Sequence, residues 1–189
     1  MTTTKKLKDK KCKVCSVLFT PLRPLQACCT WECANIYAKE LNEKKEKKDW
    51  QKRKAKMKSD LMTLSDWLKI AQQHFNEYIR LRDKDQLCIS CQKIPLKKNA
   101  GHFYNANNHY NLRFDERNVH LQCEHCNTFL SGNLINYREN LIKKIGIGEF
   151  NVISEIAKET RKFTIDEVKE IAETYKKKVK ILKDILKNS

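Results

Sequence analysis

The chain has 189 residues, 39 of them Lys or Arg against 23 Asp or Glu, for a formal charge of +16. This balance points to a polyanionic partner bound through phosphates, with the salt sensitivity and sequence tolerance that counterion release brings. No apolar stretch approaches the ~18 residues of a membrane-spanning helix and the basic segments lack a clear apolar face, so a membrane partner is excluded.

The length permits one or two domains, and with only 4 Gly and 3 Pro the expected architecture is long helices linking small metal-stapled units. Residues 1–11 read as a disordered basic tail, and the charge is concentrated early, because residues 1–60 hold 17 Lys or Arg and 7 Asp or Glu. Residues 12–35 carry Cys12 and Cys15 at C-x2-C spacing, then Cys28, Cys29 and Cys33. Four thiolates on tight turns suit tetrahedral zinc, and by spacing either Cys28 or Cys29 can complete the set. So small a finger has little core, and zinc would supply much of its stability, about 10–16 kcal/mol in finger peptides. A structural and a DNA-docking role are both open for it. Residues 36–60 read as a charged helix or a flexible linker.

Residues 61–146 hold the next element and the densest chemistry. Trp67, Leu68, Ala71, Phe75, Tyr78, Ile79 and Arg82 recur near i, i+3, i+4, which predicts an amphipathic helix over 64–82. Two further C-x2-C pairs follow, Cys88/Cys91 and Cys123/Cys126. Nine cysteines is an odd count, no secretory signal is read, and paired C-x2-C spacing fits a reducing compartment, so zinc ligation is expected over disulfides. Between the pairs lie Gly101-His102 and Asn118, and Cys126 is followed by Asn127. This is the layout of a ββα-metal finger, in which a hairpin carries a histidine at the end of its first strand and a helix returns a ligand. Phosphodiester hydrolysis needs a base to activate water and a divalent cation to neutralise charge. His102 is the candidate base, Asn127 a metal ligand, and Asn118 the residue that bonds the loop and holds the histidine.

Arg113, Arg117, Arg138, Lys143 and Lys144 are the candidate DNA contacts around this site, arginine suiting bidentate phosphate binding. Phe103 and Phe114 read as hairpin core, and His109, in a polar loop, as DNA-facing or solvated. A helix is predicted over 134–145, stopped by Gly146. In residues 147–189, Thr164-Ile-Asp-Glu167 is a capping box that opens a last helix to about Leu186. Its stripe of Val168, Ile171, Ala172, Tyr175, Val179, Leu182 and Ile185 is core or a partner-helix surface. A homodimer through that stripe is a hypothesis, since symmetric cutting needs two sites on a two-fold axis.

The stretch from Cys88 to Asn133 resembles an HNH endonuclease module, and its wording is similar to the phage NinG family, also called Rap. The matching runs are Arg80-Leu-Arg-Asp-Lys-Asp, Cys88-Ile-Ser-Cys, Ala100-Gly-His-Phe, Leu112-Arg-Phe, Glu116-Arg-Asn-Val-His, Gln122-Cys, Cys126-Asn, Ser131-Gly-Asn-Leu and Tyr137-Arg. The resemblance covers most of the chain. It implies an α+β protein, mostly helical, with a zinc-stapled HNH-like core and an N-terminal zinc finger. It also implies two structural zinc ions, magnesium or manganese for catalysis, and nicking or resolution of Holliday junctions and displacement loops in lambda-like phage recombination. A host-cytoplasmic setting and phage recombination proteins as partners follow from the same resemblance. Cys29-Thr-Trp-Glu-Cys33 resembles the family's Cys-Ser-Pro-Glu-Cys run, which favours Cys29 with Cys33 and leaves Cys28 unligated. Typical HNH modules place Asp before the base histidine, where this chain has Gly101. Asp85, Asp115, Glu116, His120 and His125 are the donors that could substitute, or water could. The alternative reading is a catalytically silent zinc-finger DNA-binding recombination mediator.

Overall fold

Two units make up the computed structural model, Met1–Leu61 and Met62–Ser189, and residues 7–188 are described. Residues 1–6 of the expected basic tail lie outside the described residues. The rest of that tail is not without structure, because β1 (Lys10–Lys11) pairs antiparallel with β2 (Leu18–Phe19). The turn between them is closed by Cys12 N–H to Val17 O at 2.9 Å and Ser16 N–H to Cys12 O at 3.1 Å, with Ser16 in the left-handed region at φ 61°.

Of the two readings for residues 36–60, the structure takes the helix. α1 spans Trp31–Asp60, and the Thr30 side chain caps it by accepting the Cys33 N–H. Lys, Glu, Ala, Gln and Met are strong helix formers, and Glu40/Lys44, Glu43/Lys47 and Asp49/Arg53 sit at the favourable i, i+4 order. No residue of α1 is buried, so local propensity and side-chain pairs carry it.

In the second unit, α2 (Leu64–Arg82) begins at a capping box of Thr63 and Asp66. It buries Leu68, Ala71, Phe75 and Ile79, the face read from the sequence. α5 (Ile165–Lys187) begins at the expected box of Thr164 and Glu167 and lies along α2, with Val168 and Ala172 beside Leu68 and Ala71, and Tyr175 beside Phe75. The apolar stripe of α5 is therefore core from Val168 to Val179.

Between these helices and the rest of the unit lies one hairpin. β3 (Lys98–His102) pairs antiparallel with β4 (Val119–Cys123), putting Gly101 opposite His120 and His102 opposite Val119. One face, with Ala100 and Val119, packs on Phe75, Ile79 and Tyr175. Beyond the hairpin, α3 (Leu134–Ile145) ends at Gly146 (φ 83°) as its pattern predicts. α4 (Ile147–Ile156), which the sequence reading did not single out, follows at once. A second core of Ile89, Leu112, Tyr137, Leu141, Phe150 and Ile153 forms here, with Phe103 packed against it. Architecture and class are thus α+β, mainly helical with two small antiparallel sheets. Among the described residues, no helix is long and apolar enough to cross a membrane.

Candidate metal centres and the histidine hairpin

Sulfurs of Cys88, Cys91, Cys123 and Cys126 all lie within 4.8 Å of one another. Cys88 and Cys91 come from the turn after α2, Cys123 ends β4, and Cys126 sits in a single π-turn at His125–Phe129. Cys91 and Cys123 Sγ are 3.9 Å apart, close to the about 3.8 Å that tetrahedral Zn–S bonds of about 2.3 Å impose. Donors face the sulfurs, with Cys126 N–H at 3.4 Å from Cys123 Sγ and Asn133 Nδ2 at 3.6 Å from Cys126 Sγ. Burial pushes the Cys126 thiol up to about 12, while backbone N–H groups outweigh burial at Cys88 and lower it. A zinc ion held by these four cysteines would resolve that conflict by stabilising all four thiolates.

The N-terminal unit makes a second group of Cys12, Cys15, Cys29 and Cys33, again with sulfurs within 4.8 Å. Sγ separations are 3.5 Å for Cys15–Cys29 and 3.9 Å for Cys29–Cys33. Cys29, not Cys28, joins the set, while Cys28 is buried beside it and its thiol is raised by burial. Both donor sets fit zinc in number, softness and spacing.

His102 closes β3. Its Nε2 lies 3.0 Å from the Arg113 carbonyl oxygen, and because a carbonyl only accepts, Nε2 carries the proton and Nδ1 keeps its lone pair. Burial holds the imidazole below the ordinary histidine value, so the neutral form prevails near neutrality. Asn118, fully buried, secures the loop that presents Arg113. Its Nδ2 donates to Tyr104 O at 2.9 Å and Leu112 O at 3.1 Å, and its Oδ1 accepts the Tyr104 N–H at 2.8 Å.

Gly101 faces Gln122. A Cβ at Gly101 would meet Gln122 Oε1 at 2.1 Å, so the hairpin admits only glycine while Gln122 keeps its place. Gln122 is pinned there by Nε2 donating to Ser90 Oγ at 2.7 Å and Gly132 O at 2.6 Å. Its Oε1 is buried without a partner. The Tyr137 hydroxyl donates to Gly101 O at 2.9 Å on the same side.

A charged cluster, not singled out by the sequence reading, braces β4 against the end of α2. Asp83, 1% exposed, receives Arg82 Nε and Nη2, both at 2.8 Å, and the Leu121 N–H at 3.1 Å. Lys144 Nζ is 3.8 Å away and His120 Nδ1 3.7 Å. Burial alone would raise the Asp83 carboxyl, yet the hydrogen bonds and charge of Arg82, with the charge of Lys144, hold it far below the carboxylate range. The available signal was the strand alternation: Val119 and Leu121 face the core, so His120 and Gln122 share the other face, and both are buried.

The other sequence-predicted residues are dispersed. Asn127 is half-buried in the π-turn. Arg113 donates from Nε to Gln72 Oε1 at 2.9 Å and lies over the Tyr110 and Phe114 rings. Arg117 is paired with Asp115 at 2.6 Å and Glu149 at 2.8 Å, and Arg138 covers the Phe150 ring. Lys143 is exposed, whereas Lys144 turns to Asp83 and Gln86. His109 is not merely solvated: it is half-buried, and its Nδ1 sits 3.0 Å from Ala157 O, just past the end of α4. Of the donors that could replace an Asp at Gly101, Asp115 is paired with Arg117, Glu116 with Lys178 at 2.6 Å, and His120 accepts from Arg82 at 3.1 Å. Among the described residues, groups of three or more His, Cys, Asp or Glu donors occur only as the two cysteine sets. A catalytic magnesium or manganese ion here would therefore be held by fewer than three such side chains, with water completing its shell.

No solved structure matches the chain. Protein ninG of Salmonella phage P22 is 45% identical over 121 residues, 64% of this chain and 59% of that protein. Protein ninG of Escherichia phage lambda is 42% identical over 121 residues with the same coverage, so in both cases the match spans about three fifths of the relative. Protein ninG of Escherichia phage 933W is 37% identical over 194 aligned positions, covering 93% of this chain and 94% of that protein. The family model described as bacteriophage lambda NinG protein matches residues 4–185, and the chain belongs to that family.

Proposed function

We propose that this protein is an endodeoxyribonuclease of the HNH type that, with magnesium or manganese, nicks or resolves branched DNA intermediates of phage recombination. The observation that carries the reading is the His102–Arg113 hydrogen bond, which leaves a neutral imidazole with an unprotonated Nδ1 at the end of a zinc-stapled hairpin. A base poised below its ordinary value can take a proton from water at neutral pH, the step phosphodiester hydrolysis demands. The order of hairpin, cysteine turn and α3 is consistent with the ββα-metal layout. The +16 charge suits a phosphate backbone. A dimer for symmetric cutting would need a surface other than the Val168–Val179 stripe, which α2 covers.

Gly101 and Gln122 favour one second reading, the silent DNA-binding mediator, because the place of the usual Asp is filled by a neutral amide. Cleavage of labelled four-way, three-way and linear DNA by zinc-loaded protein, with and without magnesium or manganese, separates the two. Cation-dependent nicking of branched DNA that is lost in His102→Ala supports the nuclease. Salt-sensitive binding without nicking under either cation supports the mediator.

A further inference from the structure

The run Lys93-Ile94-Pro95-Leu96-Lys97-Lys98, which leads from the Cys88–Cys91 turn into the first residue of β3, places two aliphatic side chains at the tip of a loop among three lysines. Leu96 is fully exposed and Ile94 is 81% exposed. Soluble proteins seldom present adjacent large apolar groups to water without a partner.

Nor is the loop loosely held. Lys93 O accepts the Cys88 N–H at 2.9 Å, Lys97 O accepts the Glu124 N–H at 3.2 Å, and Pro95 is buried between them. Lys97 also pairs with Glu124, and Lys98 donates to Lys84 O. The tip is therefore a braced projection anchored on the cysteine cluster. Ile94 and Leu96 form one wall of a groove of about 510 Å³ whose floor is the cysteine cluster, with Cys91, Cys123, Cys126 and Leu130 in its lining.

We infer that this tip is a DNA wedge: Ile94 and Leu96 enter between bases where stacking is already broken at a branch, while the flanking lysines meet the phosphates on either side. Apolar side chains inserted at base steps work this way in DNA-bending proteins, and unstacking costs least where the stack is interrupted. With Lys97 paired to Glu124, Lys93 and Lys98 carry the positive charge of the flanks, which selects a polyanion over a neutral protein surface. The inference deepens the nuclease reading by naming how a branch is told from linear duplex.

The test uses zinc-loaded His102→Ala protein without added magnesium or manganese, so that the DNA stays intact. Three-way and four-way DNA carry 2-aminopurine at the branch, and fluorescence and affinity are compared for His102→Ala and for the same protein with Ile94→Ser and Leu96→Ser. A fluorescence rise on binding is expected for the former and its loss for the latter. Affinity for branched DNA should fall on the order of tenfold, with linear-duplex affinity unchanged. Lys93→Ala should weaken both substrates alike. The wedge is overturned if no rise occurs, if the rise survives both serines, or if the serines weaken linear and branched DNA equally. It is also overturned if the serines leave DNA binding intact and convert a sedimenting dimer to monomer, which would make the patch an interface between copies. Cleavage is not read, so a fluorescence rise with a wild-type protein that never nicks would sink the nuclease reading and leave the wedge standing.

Discussion

His102 and Arg113 are joined by a 3.0 Å hydrogen bond from ring Nε2 to backbone oxygen, and the loop that supplies this oxygen is held by the buried side chain of Asn118. The bond sets the tautomer, and burial sets the protonation state.

If His102 is the base, its lowered value predicts that nicking keeps its rate as pH falls from 8 to 6.5 and declines only below the ordinary histidine value of 6.5. A base must be unprotonated, and a folded pKa below 6.5 keeps it so to lower pH. His102→Ala should lose about 10²- to 10⁴-fold in rate while retaining zinc. A rate that halves above pH 6.5 would assign the base elsewhere.

Gly101 and Gln122 should be coupled. Gly101→Ala places a carbon 2.1 Å from Gln122 Oε1 and should cost about 1–3 kcal/mol by overpacking. In a Gln122→Ala background the Oε1 clash is gone and only the 2.9 Å approach to the residue-122 Cβ remains, so the same change should cost less, which urea unfolding of the four proteins in a double-mutant cycle would measure. Additive costs would mean that the two side-chain positions do not compete for one space.

Asp83 governs acid stability. Its folded value lies below the ordinary 3.8, so its contribution is present above the unfolded value and is lost as pH falls through the folded one. Asp83→Asn should cost about 3 kcal/mol at pH 7, since it leaves Arg82 and Lys144 without their buried counter-charge. It should also flatten the decline of thermal stability below pH 4. An unchanged acid limb in the variant would remove Asp83 from that role.

Metal analysis should find two zinc ions per chain, each on four sulfurs. Cys28→Ser should keep both, whereas Cys29→Ser should keep one and loosen the finger, which has little core of its own. Loss of zinc in Cys28→Ser would exchange the two adjacent cysteines as ligands.

Helix boundaries and metal ligands were legible in the sequence because their signals are local. The helices over 64–82 and 134–145 and the capping box at Thr164 follow from apolar periodicity, a stopping glycine and two side chains three residues apart. C-x2-C spacing likewise brings paired thiolates onto one turn, although choosing Cys29 over Cys28 took a family resemblance. Tertiary structure decided what depends on distant partners. Lys144 and Arg117, candidate phosphate contacts by sequence, also pair with Asp83 and Glu149, and His109 bonds Ala157 O, because folding brings residues far apart in sequence within hydrogen-bond reach. The same holds for Gly101, whose missing side chain makes room for Gln122 across the hairpin, a fact of strand register that neither residue reveals alone.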